Sequence, residues 1–247
     1  IWHGDCLDFM KLIPDRSIDL VLTDPPYGIT NLEWDIVPNF DNLWKEFLRI
    51  GKENCAYIFT ASQPFTTDLI NSNRKMFKYE IIWEKERPTN IFSMRKAFGK
   101  VHENIIIFSK EKSVYNPQKE EAIQPKNNTR KNPSQKGKMS GMKHIGQHDT
   151  AMISDDYDNK TRFPRSVVKF NRETKNSLHP TQKPLKLMQY LIATFSNKDN
   201  IILDPFLGSG TTAVAAKQLG RRFIGIEISE KYCRISEDRL RQGILFN

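Results

Sequence analysis

The sequence predicts an α/β domain built on a largely parallel sheet. Short apolar runs alternate with helix-like segments along most of the chain. One run, residues 18–23 (IDLVLT), stops at Asp24-Pro25-Pro26-Tyr27. Another, residues 200–206 (NIILDPF), leads into the glycine turn Gly208-Ser209-Gly210 and a helix start. Strands separated by helices and ending in such turns fit a sheet whose ligands bind beyond the carboxyl ends of its strands.

In order, residues 18–23 read as a buried strand and 41–50 (DNLWKEFLRI) as a helix with Asp41 as its N-cap. Residues 55–61 (CAYIFTA) read as a strand and 64–74 (PFTTDLINSNR) as a helix. Two further strands are expected at 79–85 (YEIIWEK) and 103–110 (ENIIIFSK). The texture then changes: residues 110–150 hold nine Lys or Arg against four acids, with much Asn, Gln, Ser, Gly and Pro. So long a stretch without pattern is either a functional basic insert or a solvated linker. The α/β texture resumes with a helix at 184–196, opened by Pro184. A strand at 200–206, a helix at 210–220 closed by Gly220, a strand at 222–228 and a helix at 229–243 capped by Ser229 complete the chain.

The 247 residues suffice for one large domain, or a domain with an insert. No run approaches the ~20 apolar residues of a membrane span, and no signal-peptide pattern opens the chain. The chain starts at Ile1 rather than Met, so a segment trimmed or left out upstream is expected. Cys6, Cys55 and Cys233 are far apart and make no zinc spacing, so reduced thiols in a cytoplasmic protein are expected. The net charge of +9 favours a polyanionic partner such as nucleic acid, although a merely basic enzyme would look the same. The five histidines form no HExxH pair, and there is neither a GxxxxGK[ST] loop nor a GxSxG elbow. Metal, P-loop and acyl-transfer chemistry therefore lack support.

Two constellations remain. Gly208 and Gly210 allow a tight turn and close approach of a ligand at a strand end, and the next strand ends 17 residues beyond Gly210 in Glu227. A carboxylate there can accept hydrogen bonds from ribose hydroxyls, but GxGxxG is incomplete, and an ordinary strand–helix turn reads the same. The Asp-Pro-Pro-Tyr turn is more specific. Each proline holds the residue before it extended, so the turn is stiff. It can present the Asp24 carboxylate and the Pro25 carbonyl as two converging acceptors beside the flat face of Tyr27. That set suits a planar ring bearing an exocyclic amine, the plainer alternative being a proline-rich strand terminator.

Asp24-Pro25-Pro26-Tyr27 together with residues 204–210 (DPFLGSG) resembles the DNA amino-methyltransferases that use S-adenosylmethionine. The catalytic turn precedes the cofactor turn with the basic stretch between them, an order similar to the β group of that family. Residues 4–10 (GDCLDFM), 102–110 (HENIIIFSK), 179–184 (HPTQKP) and 225–229 (GIEIS) extend the resemblance over nearly the whole chain. It implies a single Rossmann-like methyltransferase domain over 1–247, with an inserted target-recognition region at roughly 86–178. Asp204, Phe206, Gly208, Ser209 and Gly210 would surround the cofactor's methionine part, and Glu227 would hold the ribose. Asp5 and Cys6 would lie near the adenine. His179, Thr181 and Lys183 would close the other side. Asp24, Pro25, Pro26 and Tyr27 would be catalytic, with Asp24 also bordering the cofactor. Bland readings stay open for Asp5 as a turn acid, Cys6 as a small buried residue and His179 as a helix cap.

Aspartate at the head of the turn is the family's usual adenine pattern, so the implied reaction is methylation of N6 of a flipped adenine in double-stranded DNA. No metal is required. Site-specific methylation of the restriction–modification kind is expected. The β group includes dimers, so a homodimer is compatible with the resemblance. Cytosine-N4 methylation, an RNA substrate and a non-catalytic DNA-binding subunit are the alternatives.

Overall fold

The structure, a computed structural model, describes residues 1–29, 35–121, 160–172 and 182–242. In chain order its first half holds β1 (Trp2–His3), α1 (Cys6–Met10), β2 (Ile18–Thr23), α2 (Phe40–Ile50), β3 (Gly51–Ala61), α3 (Phe65–Ser72), β4 (Phe77–Glu84) and β5 (His102–Ser109). Then come β6 (Glu120–Glu121), β7 (Thr161–Arg162), β8 (Val167–Lys169), α4 (Leu185–Phe195), β9 (Ile201–Asp204), α5 (Thr211–Gln218), β10 (Arg222–Glu227) and α6 (Glu230–Gln242).

Eight strands form one sheet in the order β1-β10-β9-β2-β3-β5-β4-β8. All pair in parallel except β5, which runs against both β3 and β4. The period-two alternation of a strand sorts the side chains into two cores. In β3, Cys55, Tyr57, Phe59 and Ala61 face α1, α2 and α3, while Ala56 and Ile58 face α4 and α5. In β2, Leu20 and Leu22 share one face, whereas Ile18 and Val21 share the other because the register with β3 shifts between Ile18 and Leu20. Helices on both faces explain why the strands read as continuous apolar runs.

The α/β expectation is met, with local differences. The N-cap of α2 is Asn39, whose side chain accepts from the Asn42 amide at 3.0 Å. Asp41 instead sits in the first turn, where a carboxylate suits the positive end of the helix dipole. The short elements β1, α1 and β8 had no counterpart in the sequence reading. Among the described residues no helix is long and apolar enough to cross a membrane.

Residues Lys119–Pro164 form a unit of their own. Among its described residues, β6 and β7 pair antiparallel, and the Lys119 ammonium lies 5.1 Å from the Phe163 ring centre. Within the 86–178 span, β5 and β8 belong to the main sheet. Most of the basic 110–150 stretch falls outside the described residues.

Candidate active site

Neighbouring strands β9 and β2 send the chain in opposite directions, β2 through α2 to β3 and β9 through α5 to β10. A crevice opens beyond the carboxyl ends of an open sheet where its connections diverge in this way. Here it is a cavity of about 1000 Å³, walled by both turns singled out in the sequence.

The first wall is the turn after β2. Three backbone amides hold it to one carboxylate: Asp35 accepts from Tyr27 and Gly28 at 2.8 Å each and from Ile29 at 2.9 Å. The Tyr27 ring stacks on Phe65, centroids 5.0 Å apart. Its hydroxyl donates to Asp24 Oδ1 at 2.6 Å, and the Thr60 hydroxyl donates to the same oxygen. Asp24 Oδ2 takes the Lys183 ammonium at 2.5 Å. Lys183 is also 3.5 Å from Glu103 Oε2, and Glu103 Oε1 meets the Lys85 ammonium. Asp24, Lys183, Glu103 and Lys85 thus form a chain of alternating, mostly buried charges.

The ionisation of these groups follows from the chain. Burial opposes the Lys183 charge, but Asp24 and Glu103 outweigh it and hold the ammonium above its ordinary value. Burial opposes the Glu103 charge too, and its two lysines outweigh it and keep the carboxyl below the usual range. For Lys85 burial prevails and lowers the ammonium. The Tyr27 phenol is pushed well up by burial and by the adjacent Asp24 carboxylate, so it stays a hydrogen-bond donor.

The second wall is built from the ends of β9 and β10. Gly208 has φ +54° and an open Cβ direction, with no atom within 4 Å. Glu227 accepts from the Gly208 amide at 2.7 Å and the Ser229 amide at 2.9 Å, one on each oxygen. Asp204 is buried and accepts from the Thr23 hydroxyl at 2.7 Å and the Phe206 amide at 3.2 Å. Burial raises its carboxyl to about 6.

The structure brings most of the sequence candidates to this one cavity: Asp5, Cys6, Asp24, Pro25, Pro26, Tyr27, Lys183, Asp204, Phe206, Gly208, Ser209 and Glu227 all line it. Several have a further role. Asp5 caps α1, accepting from the Leu7 amide at 2.8 Å. The Cys6 thiol is pushed to about 12 by burial and is neutral. Ser209 donates to Gln182 at 3.1 Å. Lys183 sits on Asp24 rather than only on the cofactor side. Gly210 is outside the cavity lining; at φ +83°, a Cβ there would stand 2.5 Å from Ser236 Cβ, so α6 packing requires this glycine. His179 and Thr181 lie outside the described residues. Sequence reasoning missed Asp35, Thr60, Lys85 and Thr23, which carry no local motif. Glu103 lies within residues 102–110 (HENIIIFSK), where an acid heading a buried strand is an available signal.

The doubly wound sheet and its two paired strand tips define a Rossmann-like methyltransferase domain. The chain belongs to the DNA methylase family of N6/N4 methyltransferases, whose model matches residues 18–238. It is 33% identical to YhdJ of Escherichia coli (strain K12), a DNA adenine methyltransferase, over 97% of this chain and 82% of that one. It is 29% identical to the Type II methyltransferase M1.MboII of Moraxella bovis, over 94% of this chain and 92% of the relative. Among solved structures, the M1.HpyAVI–SAM complex shares the fold, with a TM-score of 0.63, 23% identity and 97% of each chain covered.

Proposed function

We propose that this chain transfers the methyl group of S-adenosylmethionine to the exocyclic N6 of an adenine in double-stranded DNA, as a cytoplasmic enzyme. The observation that carries the reading is the sharing of one crevice by the Asp24 turn and the Glu227-braced glycine turn. The open Cβ direction of Gly208 and the buried Glu227 carboxylate fit a nucleoside cofactor, with Glu227 toward the ribose and Asp204 toward the methionine ammonium. When bound, the cofactor supplies a methyl group on positively charged sulfur.

The residues of this chain prepare the acceptor. The lone pair of an aromatic amine is delocalised into its ring, and acceptors for both N–H hydrogens draw the nitrogen towards tetrahedral geometry. The Asp24 carboxylate and the Pro25 carbonyl supply those acceptors. Tyr27 and Thr60 occupy Asp24 Oδ1 and keep the carboxylate aimed. Lys183 occupies Oδ2, so the entering amine displaces it, and Glu103 Oε2 offers the displaced ammonium a second counter-charge. Asp24 need not deprotonate the neutral amine before attack; the proton leaves with or after methyl transfer. An amine inside a duplex is out of reach of this pocket, so the base must leave the stack.

Digestion of DNA from cells expressing the chain, followed by mass analysis of its nucleosides, tests the reading. N6-methyl-2′-deoxyadenosine, absent with the Asp24→Ala variant, is expected. N4-methylcytosine would overturn the choice of base, and undiminished activity of Asp24→Ala the mechanism.

A further inference from the structure

On the loop joining β4 to β5, we propose an aromatic wedge: Phe92 and Phe98 enter the DNA duplex at the rim of the crevice, with Arg87, Arg95 and Lys96 on the flanking phosphates. This rests on the DNA-methylation reading above and adds the surface that opens the duplex.

The two phenyl rings are fully exposed, at 103% and 99%, and Ile91 and Met94 beside them are exposed as well. The loop that carries them is tied together. The Asn90 side chain donates to the Phe98 carbonyl at 3.0 Å and accepts from the Lys100 amide at 2.6 Å. The Thr89 amide donates to the Lys100 carbonyl at 3.0 Å, and a short turn at Ile91–Ser93 is closed by the Ser93 amide on the Asn90 carbonyl at 2.9 Å. Pro88 and Met94 leave no slack around Gly99, where a Cβ would meet them at 3.0 and 3.1 Å. A braced loop therefore holds two large apolar rings in water, and such rings on an ordered surface mark an interaction site.

Charge selects the occupant. Residues 87–101 hold four cations and no acid. They repel a second copy of a chain of net charge +9 and attract a polyphosphate. Position selects the action. Lys85 and Glu103 at the loop's base, and Thr89 and Lys100 within it, line the same cavity as Asp24. A base taken from the stack leaves a gap, and apolar side chains are known to insert between base steps in minor-groove-binding proteins.

The test uses a duplex oligonucleotide carrying the site mapped by sequencing modified DNA from expressing cells, and a twin in which the target base faces an abasic position. Phe92→Ala/Phe98→Ala should lower kcat/KM on the duplex at least about tenfold, because the target base must be both unpaired and unstacked. On the twin, whose target is already unpaired and leaves the stack more easily, the loss should be several-fold smaller. With 2-aminopurine at the target position, the fluorescence rise on binding the duplex should shrink in the variant. An equal loss on both substrates, or none on the duplex, overturns the wedge. So does a fall in sedimentation mass without DNA, which would make the patch a contact between copies. If the unsubstituted chain methylates no DNA, the functional reading fails instead.

Discussion

Cofactor affinity should depend on the ionisation of Asp204. This carboxyl is 4% exposed, and burial raises it from 3.8 to about 6 despite donors from Thr23, Thr212 and the Phe206 amide. A raised carboxyl binds its proton more tightly in the folded chain than in the unfolded one. Its contribution to stability is therefore complete below about pH 3.8 and is lost as the pH rises through about 6. At neutral pH the ionised group destabilises the cofactor-free fold by about 3 kcal/mol, at 1.36 kcal/mol per unit. A cation seated against Asp204 would remove that penalty, and the cofactor's α-ammonium, with an ordinary value of about 7.7–8.0, is charged over the relevant range. The dissociation constant should be about tenfold weaker at pH 5 than at pH 7, by linkage. Binding at pH 6 should release about half a proton, counted by calorimetry in two buffers of different ionisation enthalpy. Asp204→Asn should bind weakly with a flat profile while stabilising the cofactor-free chain at pH 7. A flat profile in the unsubstituted chain, or no proton release, would refute the placement of the ammonium.

Glu227→Ala removes the acceptor of two backbone amides and of the proposed ribose contact. Cofactor affinity should fall about tenfold to a hundredfold, on the order of 1.5–3 kcal/mol; unchanged affinity by calorimetry would remove the assignment. Lys183→Met leaves Asp24 and Glu103 facing each other without their shared cation and should destabilise the chain by about 3–5 kcal/mol in urea unfolding. Adding Glu103→Gln should return part of that loss, and additive losses would show that the two groups are not coupled. Gly210→Ala should destabilise the fold by roughly 2–4 kcal/mol through its left-handed backbone and the collision with Ser236. Gly208→Ala should have a smaller effect on unfolding and act mainly on cofactor affinity, since its Cβ would point into open space. Equal unfolding midpoints for the two glycine variants would contradict the distinction between them.

The sequence by itself determined the class of fold, the two strand-end turns and their order. Those features are local: apolar runs set strands, a proline pair stiffens the turn at Asp24, and glycines permit the turn after Asp204. Local pattern also erred where two residues compete for one task. Asn39 took the cap expected of Asp41, while Gly210, a place for ligand approach in the sequence, also packs against Ser236. Only the tertiary structure decided how the Asp24 carboxylate is held. Thr60 from β3 and Lys183 from the segment before α4 meet Asp24, and Glu103 from β5 joins them through Lys183, because the fold carries them to one end of the sheet. Sheet pairing over 36 to 159 residues of chain, together with the burial of opposite charges, makes that contact. No periodicity or short motif encodes it, since the energy that selects it exists only once both cores have closed around the sheet.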